Sequence, residues 1–124
     1  MPAYRNDYFF VEHNLIEQPD SIKARTMRAL NKFKSYDIPG AYFDYFAAYH
    51  YCEHDFKVNY NIANMTLALG NAEEAIEFAD KAEKSMYEHS GIGDERELLA
   101  ELRENIKILF RDGYISPRKV RVLK

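Results

Sequence analysis

Apolar residues recur at the three- and four-residue spacing of a helix face in successive stretches of this chain. Turn signals separate the stretches, among them Asp37-Ile-Pro-Gly40 and Gly70-Asn71. The pattern therefore predicts an all-α fold of about five helices. We place them near Ile22–Tyr36, Pro39–His54, Phe56–Leu69, Ala72–His89 and Asp94–Arg111.

The ends of the chain differ in pattern from its middle. Residues 1–20 lack a clean period and are predicted to form an N-terminal arm, and residues 21–112 form the helical domain. Residues 113–124 form a basic C-terminal tail in which Ser116-Pro117 opposes continuation of the last helix. With charges, a proline and no apolar period, this tail is expected to contribute little to the core.

The third and fourth predicted helices carry a motif. Tyr60-Asn-Ile-Ala-Asn64, Gly70-Asn71 and Glu74-Ala-Ile-Glu77 follow one another in a fixed register. In this register the segment from Phe56 to about Glu88 resembles a tetratricopeptide repeat, whose period is 34 residues. The small residues that the motif wants also recur one period earlier, as Ala63, Ala75 and Ala82 and then Ala29, Ala41 and Ala48.

The resemblance weakens outside this unit. Asn59 stands at the usual tryptophan position, and in the earlier unit Tyr36 replaces the glycine of the turn. The fifth helix has Glu97 and Leu109 where small residues belong, and it looks like the capping helix of such an array.

The resemblance implies a stack of antiparallel helix pairs that binds a protein or peptide in a groove lined by the first helix of each pair. The groove would present Lys57, Tyr60, Asn61 and Asn64 from the second unit and Lys23 and Met27 from the first. The two asparagine amides could pair with a peptide main chain, while Tyr60 could either contact the peptide or pack in the core. Tyr60 also stands where peptide-carboxylate clamps of the family have a lysine.

The distribution of charge along the chain suggests a different function. The net charge is −3, but a basic segment from Lys23 to Lys34 and the basic tail could contact phosphates, which makes a nucleic-acid-binding regulatory protein the alternative. The overall acidity argues against nucleic acid, as does the predicted helix from Pro39, which has no lysine or arginine to serve as a recognition helix.

Candidate chemistry is sparse. His50 and His54 are four residues apart on a predicted helix, but no further clustered ligands complete a metal site. No nucleophile or phosphate-loop motif is present, and Cys52 lies among aromatic residues. We therefore expect a non-enzymatic protein without metal or cofactor.

Location and assembly are expectations of the same kind. The lone cysteine and the absence of a signal peptide or membrane span predict a cytoplasmic protein with no membrane contact. Ten tyrosines leave self-association into a homo-oligomer open.

Overall fold

The computed structural model describes residues 22–88 and 93–124. Within these ranges the chain is helical and contains no strand, which confirms the predicted all-α class. The elements are α1 (Ile22–Lys34), α2 (Ile38–Tyr49), α3 (Phe56–Ala68), α4 (Ala72–Glu88), α5 (Asp94–Asp112) and a 3-10 turn (Pro117–Lys119). The predicted arm, residues 1–20, lies outside the described residues, as do residues 89–92 between α4 and α5.

The chain divides into two compact units, and the first ends at Tyr51. In this unit α1 packs on α2, and four alanines of the two helices are buried, namely Ala24, Ala29, Ala41 and Ala48. The pair is also held by a buried ion pair. The carboxylate of Asp44 on α2 accepts two hydrogen bonds from Arg28, at 2.8 and 2.9 Å, and lies 3.1 Å from the ammonium of Lys32.

The end of α2 differs from the prediction. The helix ends at Tyr49, not at His54, and residues 50–55 form turns. The last residue of this turn, Asp55, is the N-cap of α3. Its side chain accepts a hydrogen bond from the Val58 N–H at 2.9 Å. His50 and His54 are therefore not presented on one helix face.

The second unit runs from Cys52 to Leu123. Its first two helices, α3 and α4, are joined by three residues around Gly70, whose φ of 82° allows the tight reversal. Asn71 caps α4 as predicted, accepting the Glu74 N–H at 3.1 Å. Ala63 on α3 and Ala75 and Ala82 on α4 are fully buried, which confirms the burial expected for these small residues.

α5 packs on α4 and ends at Gly113, which adopts the left-handed conformation of a helix-ending glycine. Arg103 of α5 pairs with Asp80 and Glu83 of α4. Beyond α5 the structure departs from the sequence-based expectation, because Ile115 and Val120 of the tail are buried, at 6% and 8% exposure. The tail therefore contributes apolar side chains to the core of the second unit.

Candidate functional site

α3 is buried on almost every side although it is rich in polar residues. Eleven of its 13 residues are buried, including Asn59, Asn61, Asn64 and Thr66. A buried amide or hydroxyl is costly unless it is hydrogen-bonded. The partners of these side chains therefore show what the helix is built to hold.

Two of the four side chains donate hydrogen bonds to main-chain carbonyls close to them in sequence. The Asn59 amide donates to the carbonyls of Glu53 and Asp55, both at 2.9 Å, which fixes the entry to α3. The Thr66 hydroxyl donates to the Ala63 carbonyl one turn earlier.

Asn61 bonds instead to the main chain of the tail. Its Nδ2 donates to the Leu123 carbonyl at 3.0 Å, and its Oδ1 accepts the Leu123 N–H at 2.8 Å. An asparagine side chain is a planar amide with a donor and an acceptor side by side, so it can pair with both main-chain groups of one residue. Both polar atoms of Asn61 are thus assigned to one tail residue.

Asn64 continues the same interaction one turn later. Its Oδ1 accepts the Arg121 N–H at 3.1 Å, while its Nδ2 donates to the Tyr60 carbonyl of α3 at 3.0 Å. Residues three apart lie on one face of a helix, and N–H groups two apart lie on one side of an extended chain. Arg121 lies opposite Asn64 and Leu123 opposite Asn61, so the tail runs antiparallel to α3.

α5 supplies the remaining contacts. The Asn105 amide donates to the Lys119 carbonyl at 3.2 Å, and Glu101 forms a two-point ion pair with the Arg121 guanidinium. We call Asn61, Asn64 and Asn105 the asparagine face, and residues 119–123 the tail segment. Within the tail segment Val120 is extended and buried, and Leu123 is half-buried.

The other residues predicted for partner binding lie elsewhere. Lys57 is exposed on α3, and Tyr60 is 1% exposed, with its ring stacked on Phe56 at 5.6 Å. Burial raises the pKa of Tyr60, and the Glu101 carboxylate adds to the rise. Lys23 is exposed and Met27 half-buried on α1, in the first unit. The structure thus brings together Asn61 and Asn64 and places Tyr60 in the core.

Glu101, Asn105 and the tail segment were not predicted from the sequence as site residues. Asn105 carried a usable signal, because it interrupts the apolar stripe of α5 between Leu102 and Leu109. An amide at such a position is buried and needs a partner. Glu101 gave no local signal.

The basic segment that motivated the nucleic-acid alternative is partly neutralised within the protein. Arg28 and Lys32 both pair with Asp44. In the tail, Arg121 pairs with Glu101. These contacts reduce the positive charge available to phosphates.

The described residues outside the asparagine face offer little candidate chemistry. In residues 22–88 and 93–124 no three His, Cys, Asp or Glu side chains come together as a metal site would require. Burial raises the pKa of the Cys52 thiol, and Asp55 raises it further, which lowers its reactivity. No helix in the described part of the chain is long and apolar enough to cross a membrane.

Comparison of the chain with protein-family models, with curated proteins and with solved structures finds no match in any of the three.

Proposed function

We propose that this chain is a non-enzymatic peptide-binding module, and that its asparagine face holds a segment of extended main chain. The observation that carries the proposal is the pairing of Asn61 with both main-chain groups of one residue, continued by Asn64 two residues away. A surface that pairs with N–H and C=O groups binds a backbone rather than one side chain, as peptide-recognition surfaces do.

The resemblance to tetratricopeptide repeats supports the same function. In that family the first helix of a pair lines the groove for the partner, and α3 is the first helix of the unit that matches the motif best. We thus propose that the protein is a short array of this kind and that it acts in the cytoplasm as an adaptor, co-chaperone or regulatory subunit.

A displayed library of random peptides, selected on the immobilised full-length chain, tests the function. Selected peptides are then measured by fluorescence anisotropy against the wild-type chain and against Asn61→Leu, which has similar volume but no amide. We expect Asn61→Leu to weaken binding about tenfold or more, because two main-chain hydrogen bonds are lost.

Lys84→Ala is the control, since Lys84 is exposed on α4 and is not among the residues predicted to line the groove. It should bind the selected peptides as the wild type does, and circular dichroism should show both variants folded. Selected peptides that bind a folded Asn61→Leu chain at full strength would contradict the proposed site, and a library that yields no binder would contradict the function.

A further inference from the structure

We propose that the tail segment is an intramolecular ligand of the asparagine face, and that the face binds in trans an extended peptide with a basic residue between apolar ones. This inference rests on the proposed function and adds the class of ligand and its regulation. The tail segment already bonds to the Asn61 and Asn64 amide groups with which the main chain of any such peptide would have to pair.

The main-chain contacts set the conformation of the ligand. Arg121 and Leu123 donate to α3, whereas Val122 between them forms no hydrogen bond with any described residue. This alternation is the pattern of an extended chain read from one side, where every second residue points its N–H toward the partner. A helical peptide, whose N–H groups are used internally, cannot make these contacts.

The side-chain contacts set the chemistry of the ligand. Val120 is buried beside the asparagine face, so the ligand needs an apolar residue there. The next residue, Arg121, meets Glu101, and a second exposed acid, Glu97, lies one turn earlier on α5. Acidic side chains at this position favour a basic residue in the ligand and disfavour an acidic one.

The link between α5 and the tail segment makes the tail a strong competitor. Residues 113–118 connect the two, and a short link of this kind gives an effective concentration of roughly 1 mM. If the free tail peptide has a Kd of about 100 µM, the tail therefore lowers the apparent affinity for a peptide in trans about tenfold. A variant in which the tail segment is fully released should bind a peptide in trans about tenfold more tightly than the wild type.

The probe is a fluorescein-labelled peptide with the sequence Ser116-Pro-Arg-Lys-Val-Arg-Val-Leu-Lys124, measured by anisotropy with the full-length chain. Leu123→Pro removes the N–H that donates to Asn61 and should weaken docking of the tail about fivefold, as expected for one lost hydrogen bond. Val122→Pro is the matched control, because it alters the neighbouring residue without removing a bonded N–H. In the Leu123→Pro chain the competition by the tail falls from about elevenfold to about threefold, so we expect Leu123→Pro to bind the probe about fourfold more tightly than either the wild type or Val122→Pro.

A modification of the probe tests the site without changing the protein. N-methylation at the probe residue corresponding to Leu123 should weaken binding to the Leu123→Pro chain about fivefold, as expected for one lost hydrogen bond. The same modification at the residue corresponding to Val122 should have no comparable effect. Equal effects of the two modifications would overturn the main-chain register.

The remaining outcomes separate this inference from the proposed function. Equal probe affinity of the wild type and Leu123→Pro would overturn the tail as a competitor, while library peptides that still require Asn61 would leave the proposed function standing. A wild-type dimer in sedimentation that becomes a monomer with Leu123→Pro would overturn the intramolecular assignment and place the tail on a second copy. No Asn61-dependent binding of any peptide would overturn both.

Discussion

The Asp44 carboxylate is fully buried on α2, where it meets two cations of α1. Burial on its own would raise the pKa of Asp44, but the hydrogen bonds and charges of Arg28 and Lys32 together outweigh it and hold the pKa below its ordinary value. Removal of the carboxylate would leave these cations without their buried partner. Asp44 is thus a buried polar residue that ties α1 to α2.

Asp44→Asn should lower the free energy of unfolding at pH 7 by about 3 kcal/mol, the lower end of the cost of breaking a buried pair, since both cations are partly exposed. Urea denaturation measures the change. Because the pKa of Asp44 is lower in the folded chain, its contribution is present above about pH 4 and is lost as the pH falls through the folded pKa. The wild type and the variant should therefore converge in stability at low pH.

Asp112→Asn is the control for this prediction, since Asp112 pairs with its neighbour Arg111 at the surface. Exposed pairs contribute little, so the urea midpoint should not move. A constant difference between the wild type and Asp44→Asn across the acid range would contradict the ionic origin of the effect.

Tyr36 is a residue whose substitution should stabilise the protein. It adopts a φ of 64° after α1 and is 88% exposed, so the strained backbone is not offset by packing of the ring. Tyr36→Gly should raise the free energy of unfolding by about 0.5–1 kcal/mol, the left-handed strain minus the extra entropy of glycine. Ser35→Gly, at the preceding residue with negative φ, should instead destabilise, and a loss of stability in Tyr36→Gly would show that the ring matters.

The sequence was informative about the chemistry of Asn61 and Asn64 but not about their burial. Their spacing placed them on one helix face, and an amide can pair with a main chain wherever one is available. Tyr60 was ambiguous for a physical reason, since its apolar ring suits a groove and a core equally. Only the structure shows it stacked on Phe56 in the core.

At the scale of the helices, the apolar periodicity together with turn and capping residues was sufficient to predict a boundary wherever a glycine or polar residue marks it. Gly70, Asn71 and Gly113 fixed the ends of α3, α4 and α5 because each has a specific conformation or cap to supply. The end of α2 was missed because apolar and aromatic residues continue past Tyr49 and hide the change from helix to turn.

Close helix packing in the second unit depends on small residues. Ala75 has no exposed surface, so Ala75→Leu should overpack α4, costing about 1–3 kcal/mol and lowering the thermal midpoint by roughly 5–15 °C. Ala100→Leu on α5 is the control, because Ala100 is exposed. An unchanged midpoint for Ala75→Leu in scanning calorimetry would show that the register assigned to the helix pair is wrong.

The tail should stabilise the second unit although it adds no α-helix. A chain ending at Tyr114 loses the buried Ile115 and Val120 side chains and should be less stable by roughly 3 kcal/mol, while its far-ultraviolet circular dichroism changes little. Thermal melting followed at 222 nm measures both quantities. A melting temperature equal to that of the full chain would mean that the tail does not dock in solution.

At the scale of the whole molecule, the contacts between the tail segment and the asparagine face could not be derived from local pattern. Leu123 and Asn61 are 62 residues apart in sequence, and Arg121 and Asn64 are 57 apart. A main-chain contact leaves no signature in the side chains of the segment that is bound. The tail therefore resembled a solvated basic extension, although Val120 and Arg121 each have a partner in the fold.

Amide hydrogen exchange of the full-length chain, followed by NMR, tests the claim that the asparagine face binds alternate main-chain groups of an extended segment. The Arg121 and Leu123 amides should exchange more slowly than the Val122 amide between them. Asn61→Leu should abolish the protection of Leu123 while the helical amides of α5 remain protected. Equal exchange of all three tail amides, or protection of Leu123 that survives in a folded Asn61→Leu chain, would contradict the claim.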